Sequence, residues 1–225
     1  AVKANSNIAI LQCLAKLGAG FDIVSGGELA RVMMAGGDPN KVVFSGVGKT
    51  PAEIRNALDT GIRCFNVESA SELRLLESIA AETKMTAPVS IRVNPDVDAQ
   101  THPYISTGLK ENKFGVDEDT ALKLYQQAQA SDHLNPVGID CHIGSQLTDI
   151  SPYLEAVDHL LGIVDRLGDL GISLEHIDIG GGLGIQYRQE PPTGPIDLIE
   201  SLKARLTQRG LEVVVEPGRS IVGNA

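Results

Sequence analysis

Each end of the chain carries a charged side chain that could take part in covalent chemistry. Lys3 lies in the stretch AVKAN at the start, and Glu216 lies in EPGRS near the end. A lysine amine can condense with a carbonyl compound, and a carboxylate can partner a ring nitrogen. Taken singly, each residue is explained as well by an exposed surface charge, which contributes little to stability. The pair predicts a shared function only if the fold brings both residues together.

A histidine, a serine and a run of glycines lie between those ends. His142 and Ser145 belong to CHIGSQ, and Gly180, Gly181 and Gly182 belong to IDIGGGLG. Glycine lets backbone N–H groups approach a phosphate closely, although a tight turn with positive φ also requires glycine. A single histidine is more often a satisfied polar residue than a catalyst. Its position among these stretches favours the functional interpretation and predicts a phosphate-binding loop set.

Two other stretches approximate nucleotide-binding motifs, and both lack a required glycine. In FSGVGKT (44–50) the first glycine of the P-loop pattern is replaced by Val43, and Pro51 opens the next helix. In GGGLG the third glycine of the dinucleotide fingerprint is replaced by Tyr187. Both patterns depend on those glycines for close backbone approach to phosphates. We therefore predict neither a P-loop nor a dinucleotide site.

Composition limits the class of protein. The chain has 225 residues, 42% of them hydrophobic, which suits one domain spanning residues 1–225. A net charge of -10 argues against nucleic acid and against an anionic membrane surface as partners. Cys13, Cys64 and Cys141 are widely spaced without a C-x-x-C pair, which predicts reduced thiols in a cytoplasmic protein and no metal site. The longest apolar segment is too short for a membrane span or a signal peptide.

Short apolar runs alternate with helical patterns along the whole chain. Eight candidate strands can be counted: 1–4, 20–25, 41–46, 64–69, 89–94, 137–144, 176–182 and 212–218. Helix starts are marked by Ser25, Thr50 and Ser69, each followed three residues later by glutamate, and helix stops by Gly18, Gly36 and Gly61. This alternation predicts a parallel (β/α)₈ barrel, and a doubly wound open sheet is the alternative.

The strands alternate apolar and polar residues in a phase that points charged groups inward. If Ile91 and Ile139 face the helices, then Arg92, Asp140 and His142 face the barrel axis. The same phase turns further polar residues inward: Lys3, Asn66, Glu68, Ser90, Asn94, Asp178 and Glu216. Barrel interiors normally hold branched aliphatic residues, and burying unpaired charge is costly. Polar groups near the carboxyl ends of strands therefore predict an active site at the barrel mouth.

Three of these features together meet the needs of pyridoxal 5'-phosphate. That cofactor requires an amine, a phosphate site and a partner for its ring nitrogen. Lys3, the glycines at 180–182 and Glu216 supply one each. The sequence therefore predicts a pyridoxal-phosphate-binding barrel.

The stretches AVKAN, HIGSQ, DIGGGLG and EPGRS occur in the order found in fold type III pyridoxal-phosphate decarboxylases, the alanine-racemase-like group, and the chain resembles that family over its length. The segment 94–116, NPDVDAQTHPYISTGLKENKFGV, is similar to the members that act on diaminopimelate. The resemblance implies covalent attachment of the cofactor to Lys3, stacking of His142 on its ring and a bond from Glu216 to the ring nitrogen. It implies catalytic roles for these three, and Arg219 is implied to touch the substrate as well. The implied cofactor contacts are Lys3, Asp22, Arg92, His142, Ser145, Gly180, Gly181, Gly182, Glu216, Pro217, Gly218 and Arg219.

The implied reaction is decarboxylation of meso-2,6-diaminopimelate to L-lysine and CO₂. Members of the family are homodimers, and a β domain follows their barrel and supplies a cysteine proton donor. We expect that β domain to be missing from these 225 residues, and we expect the isolated chain to decarboxylate poorly. A non-enzymatic pyridoxal-phosphate carrier, a related basic amino-acid decarboxylase and a racemase are the alternatives.

Overall fold

The fold is a curled, fully parallel sheet whose seven strands follow one another in chain order. It is seen in a computed structural model that describes residues 1–97, 114–187, 193–207 and 209–223. Each strand pairs with the next one along the chain, from β1 to β7. The strands are β1 (Phe21–Ile23), β2 (Val42–Phe44), β3 (Cys64–Val67), β4 (Ala87–Arg92), β5 (Leu134–Asp140), β6 (His176–Asp178) and β7 (Glu212–Val214).

Helices connect the strands and cover the outside of the sheet, as right-handed parallel crossovers require. They are α1 (Ile8–Lys16), α2 (Gly26–Met34), α3 (Pro51–Thr60), α4 (Ala70–Thr83), α5 (Glu118–Gln129), α6 (Ser151–Asp169), α7 (Pro195–Leu206) and α8 (Arg219–Val222). In the described ranges no helix has both the length and the apolar character needed to span a bilayer. The predicted α/β barrel-type fold is confirmed.

The predicted helix starts are confirmed by their capping contacts. Ser25, Thr50 and Ser69 each accept a hydrogen bond from the backbone N–H three residues later. At Thr50 the box is reciprocal, because Glu53 also accepts from the Thr50 N–H at 2.9 Å. Helix α3 ends at Gly61, whose φ of 73° is the left-handed conformation typical of a helix stop.

The two faces of the sheet differ as the alternation predicts. Ile91, Ile139 and Ile177 are register partners on β4, β5 and β6, and all three are fully buried against the helices. In the next register row Arg92, Asp140 and Asp178 are neighbours on the same strands. Burial of the aliphatic row drives folding, while the polar row turns inward at the carboxyl ends of the strands.

One predicted strand, residues 1–4, is wrong. Val2–Ala4 forms a 3₁₀ helix, in which the Asn5 N–H bonds back to the Val2 carbonyl at 3.1 Å. Four residues with alternating character do not distinguish a strand from one tight turn, and here local hydrogen bonds replace ladder bonds. Among the described residues no ladder joins β7 to β1, and a cavity of about 400 Å³ lies between those two strands.

The start of the chain nevertheless lies against the end of β7. The Ala1 amino group donates to the Pro217 carbonyl at 2.9 Å. The Val2 side chain is buried with the core. Lys3 is thereby placed near the carboxyl ends of β7 and β1, where the sequence predicts the active site.

The reciprocal cap of α3 gives a test of local stability. We expect Thr50→Ala to lower the free energy of unfolding by about 1 kcal/mol, because it removes the acceptor of the Glu53 N–H. Thr60→Ala is the matched control, since the Thr60 hydroxyl donates to the Asn56 carbonyl within the same helix. Urea denaturation of both variants measures the difference, and equal losses would contradict the capping role.

Candidate active site

Lys3 forms an ion pair with Asp22 at the mouth of the barrel. Its Nζ donates to Asp22 Oδ2 at 2.9 Å, and the lysine side chain is 52% exposed whereas that of Asp22 is 1% exposed. Partial burial works to lower the pKa of Lys3, but attraction to Asp22 and then Glu216 outweighs it, so the pKa is raised. The pair therefore favours the ammonium form of an accessible amine beside a buried carboxylate.

Glu216 follows β7 and points into the barrel. Ser45 Oγ lies 3.5 Å from Glu216 Oε1, a long donor contact, and Asn66 Nδ2 donates to the same serine oxygen at 3.1 Å. Burial, followed by repulsion from Asp178 and Asp22, raises the pKa of Glu216 well above its ordinary value, and Lys3 opposes the shift. The raised pKa favours the neutral form of Glu216, and a nearby cation would favour its charged form.

Glu216 belongs to a buried group of three carboxyl side chains. One oxygen each of Asp140, Asp178 and Glu216 lies within 4.8 Å of the others. Burial raises the pKa of Asp178 to about 6, although its hydrogen bond from the Gly180 N–H at 2.9 Å opposes this. Arg92 Nε lies 4.0 Å from Asp140 Oδ2 and offsets part of the charge. Burying three carboxyl groups so close together costs free energy unless further cationic partners are present.

His142 presents a neutral imidazole ring beside these acids. Its Nδ1 accepts a hydrogen bond from the Gly181 N–H at 3.2 Å, which places the ring proton on Nε2. Burial, and then the positive charges of Arg92 and Lys3, lower the pKa of His142 to about 3. An uncharged flat ring held by the glycine loop is suited to stacking against another aromatic ring.

Three loops meet next to His142, after β5, β6 and β7. Arg219 Nη2 donates to Ser145 Oγ at 3.3 Å, which joins the first loop to the third. In the middle loop Gly180 and Gly182 have φ of 69° and 102°. A Cβ at Gly181 would lie 2.3 Å from the Glu216 carbonyl. Both reasons for glycine, the turn and the close backbone approach, therefore apply here. The loops form a small cradle that includes the Arg219 guanidinium and the Ser145 hydroxyl.

The structure brings most of the predicted site residues to one place. His142 and Glu216 each interact electrostatically with Lys3 and Asp22. Arg92 interacts with His142, and with Glu216, Asp140 and Glu68. Pro217 and Gly218 pack against the N-terminal residues Ala1 and Ala4. Of the segment 94–116, residues 98–113 lie outside the described residues. The ligand contacts assigned to all of these residues stay predictions.

Sequence reasoning missed Ser45 as a partner of Glu216 and left Asn66 out of the site. Both residues lie at the carboxyl ends of strands, Ser45 after β2 and Asn66 on β3, and this position is the signal that could have placed them in the site. The contact between Ser45 and Glu216 could not be predicted in the same way, because the two residues are 171 positions apart. Lys49, in the stretch that approximates a P-loop, has another duty. Its Nζ donates to the Gly46 and Asn66 carbonyls and to Glu72 Oε1, at 2.6, 2.8 and 2.7 Å. It ties loops together, in keeping with the rejection of a P-loop.

The available groups fit a phosphorylated pyridine aldehyde. Asp140 Oδ1 and Asp178 Oδ2 are buried without a hydrogen-bond partner among the described residues. A cationic ring nitrogen beside Glu216 would offset this excess of negative charge. The cradle that contains Ser145 and Arg219 offers an anion a hydroxyl and a guanidinium. Fold and site thus define an α/β barrel protein whose mouth carries a lysine, a buried carboxyl group and an anion cradle, a set that fits such a cofactor.

A comparison with family models agrees. Residues 1–223 match the pyridoxal binding domain of the pyridoxal-dependent decarboxylases, and the chain belongs to this family. The family implies pyridoxal phosphate as the cofactor.

Curated relatives and solved structures narrow the similarity. The chain is 62% identical over 225 residues to the diaminopimelate decarboxylase of Pseudomonas aeruginosa and 58% identical to that of Pseudomonas fluorescens. Each alignment covers 100% of this chain and 54% of the relative, so the chain spans about half the length of the curated relatives it matches. A structure of the Helicobacter pylori diaminopimelate decarboxylase complexed with L-lysine superposes with a TM-score of 0.95 at 48% identity, covering 98% of this chain and 56% of that one. A structure of the Selenomonas ruminantium lysine decarboxylase superposes with a TM-score of 0.87 at 27% identity. The superposition covers 100% of this chain and 57% of that one.

The buried carboxyl group of Asp178 predicts a pH-dependent stability. Because its pKa in the folded protein is about 6 and its ordinary pKa is 3.8, the folded state binds more protons between these values. Stability therefore falls as the pH rises through that window. In cofactor-free protein, we expect Asp178→Asn to raise the free energy of unfolding by about 1–3 kcal/mol at pH 7, and the gain to vanish near pH 4.

Urea denaturation between pH 4 and 7 measures this effect. The Asn side chain keeps an oxygen for the Gly180 N–H, so the variant removes the charge and not the hydrogen bond. Asp59→Asn, on the exposed side of α3, is the matched control and should change stability by less than about 0.5 kcal/mol. A gain that did not depend on pH would rule out ionisation of Asp178 as its cause.

Proposed function

We propose that the protein decarboxylates meso-2,6-diaminopimelate to L-lysine and CO₂ with pyridoxal phosphate as cofactor. The observation that carries the proposal is the meeting of Lys3, neutral His142 and buried Glu216 at the barrel mouth. The proposal is supported by the 62% identity to a diaminopimelate decarboxylase across the whole chain.

Lys3 is the residue we propose to hold the cofactor covalently. Asp22 Oδ2, 2.9 Å from Lys3 Nζ, accepts a hydrogen bond from the ammonium group and holds the side chain at the mouth. The lysine side chain is half exposed, so its amine is accessible from the mouth.

When bound, pyridoxal phosphate supplies an electron sink for the pair that remains when the α-carboxylate leaves as CO₂. Glu216 is proposed to keep the ring nitrogen protonated. Its raised pKa comes from burial and from neighbouring acids, so a cation at the ring nitrogen relieves the cost of its charge. The Ser45 contact, although long at 3.5 Å, orients one of its oxygens. Ionised Glu216 then acts on the rate more than on cofactor affinity.

His142 and the cradle are proposed to fix the orientation of the cofactor. With a pKa of about 3, His142 is neutral at physiological pH and its flat face is available for ring stacking. Ser145, Arg219 and the backbone at 180–182 are proposed to hold the phosphate. These contacts set the angle between the substrate's carboxylate and the cofactor ring, which decides the bond that breaks.

The distal ammonium and carboxylate of the substrate need partners of their own. We propose that Arg219 and the segment 94–116 contribute to them, as the resemblance implies. The described part of the chain offers no accessible thiol at the mouth, since Cys64 and Cys141 are buried and Cys13 lies on α1. We propose that the protein is a cytoplasmic homodimer, and that residues outside this chain supply the proton that replaces CO₂.

The assay is formation of lysine and CO₂ from meso-2,6-diaminopimelate by the purified protein with added pyridoxal phosphate. L-lysine serves as a competing substrate, because the fold is shared with a lysine decarboxylase. Turnover of diaminopimelate with little turnover of L-lysine supports the proposal. Turnover of L-lysine to its diamine would instead assign lysine decarboxylase activity to the protein. Cofactor binding without either reaction would identify a carrier only in a protein that also contains the residues proposed to supply the proton.

Lys3→Arg tests the covalent role. Arginine keeps a positive charge beside Asp22 and cannot condense with the cofactor aldehyde. We expect reductive trapping with borohydride, followed by mass spectrometry, to attach the cofactor at Lys3 in the wild type and at no lysine in the mouth of the variant. Lys16→Arg, on the exposed surface of α1, should trap normally. Efficient trapping in the Lys3 variant would refute the assignment.

Glu216→Gln tests the partner of the ring nitrogen. Glutamine keeps the size of the side chain and loses the negative charge, so the ring nitrogen loses its proton more readily. We expect kcat to fall by about 10²–10³-fold, with cofactor affinity changed only modestly. Steady-state kinetics and a cofactor titration separate these effects. A variant with unchanged kcat would exclude the role.

A further inference from the structure

Gln146 follows Ser145 in the stretch CHIGSQ and contacts a loop that comes 39 residues later. Its Nε2 donates to the Ile185 carbonyl at 2.6 Å, and its Oε1 accepts from the Ile185 N–H at 3.2 Å. One side-chain amide thus satisfies both backbone polar groups of one residue. We propose that Gln146 is a positioning residue that holds the phosphate cradle together. This inference rests on the proposed cofactor function.

The amide extends a junction that the backbone begins. Leu147 N–H donates to the Gly182 carbonyl, and Gly184 N–H donates to the Leu147 carbonyl, both at 2.9 Å. These two bonds join the loops after β5 and β6 as far as residue 184. The Gln146 amide carries the junction one residue further, to Ile185, whose side chain is buried. The middle loop is therefore held at Gly182 and over the three residues that follow it.

Arg219 is held from the two loops that Gln146 joins. Its Nη2 donates to Ser145 Oγ at 3.3 Å, on the first loop. Its Nη1 donates to the hydroxyl of Tyr187, two residues after Ile185 on the second loop, and its guanidinium lies 5.8 Å from the centre of that ring. Gln146, Ile185, Tyr187, Arg219 and Ser145 form a closed ring of contacts. If the amide contact is lost, Tyr187 and Ser145 can move apart, and Arg219 loses its defined position.

The backbone at Gln146 supports a positioning role. Its φ is 61°, a left-handed conformation that costs a non-glycine residue about 1 kcal/mol or more. That conformation directs the side chain across the gap to Ile185. Glycine or asparagine would adopt this backbone with less strain but could not make both bonds. The retained strain is offset by the bidentate contact.

The distinguishing measurement compares two ligands, pyridoxal phosphate and pyridoxal, which lacks the phosphate. Apoprotein is prepared by removing the cofactor, and both dissociation constants are measured by titration. For Gln146→Asn we expect the Kd for pyridoxal phosphate to rise about 5–10-fold, as for one or two lost hydrogen bonds. The Kd for pyridoxal should stay within about 2-fold, because Lys3, His142 and Glu216 are untouched.

A second variant separates positioning from general stability. Gln146→Gly removes the amide together with the backbone strain, so the melting temperature should change little while phosphate selectivity falls as in the Asn variant. Gln129→Asn, exposed on α5, should leave both ligands unaffected. Wild-type selectivity in both Gln146 variants would overturn the inference, and so would an equal loss for the two ligands. A wild-type protein that binds both ligands alike would instead overturn the proposed phosphate site.

Discussion

The cost of burying acids inside the ring of strands is the constraint on which this site depends. Asp140, Asp178 and Glu216 lie within 4.8 Å of one another, where side chains of a barrel are usually aliphatic. Arg92 and Lys3 offset only part of that charge. The interior is therefore poised to accept a cation at its open end, and a protonated pyridine ring meets that requirement. In the proposed function, affinity for the cofactor and the raised pKa of Glu216 would have the same electrostatic origin.

The parallel arrangement of the strands is by itself enough to bring these groups together. All strands point the same way, so residues at their carboxyl ends share one rim, and register partners such as Arg92, Asp140 and Asp178 become neighbours. The helices hold this rim from outside through the aliphatic row on the opposite phase. The loops after β5, β6 and β7 then need only local bonds to form the cradle.

Much of this could be predicted from the sequence, because alternation along a strand and capping at a helix start are local signals. Thr50 with Glu53, and the inward phase of Asp140, were readable for that reason. Ser45 was not, since its contact with Glu216 joins positions 171 residues apart, and a serine after a strand is common. The 3₁₀ turn at Val2–Ala4 escaped because so short a segment carries no period. The sequence shows Gln146 only as part of the stretch CHIGSQ. Its contact with Ile185 became evident only from the structure, which places the two residues next to each other.

The burial of Lys49 has a consequence for cofactor chemistry. This lysine lies close to the mouth, yet its side chain is 1% exposed and its ammonium makes three hydrogen bonds. Of these two lysines, only Lys3 has an exposed amine at the mouth. Selectivity for the proposed attachment at Lys3 over Lys49 would therefore follow from the burial of Lys49, without any special reactivity of Lys3.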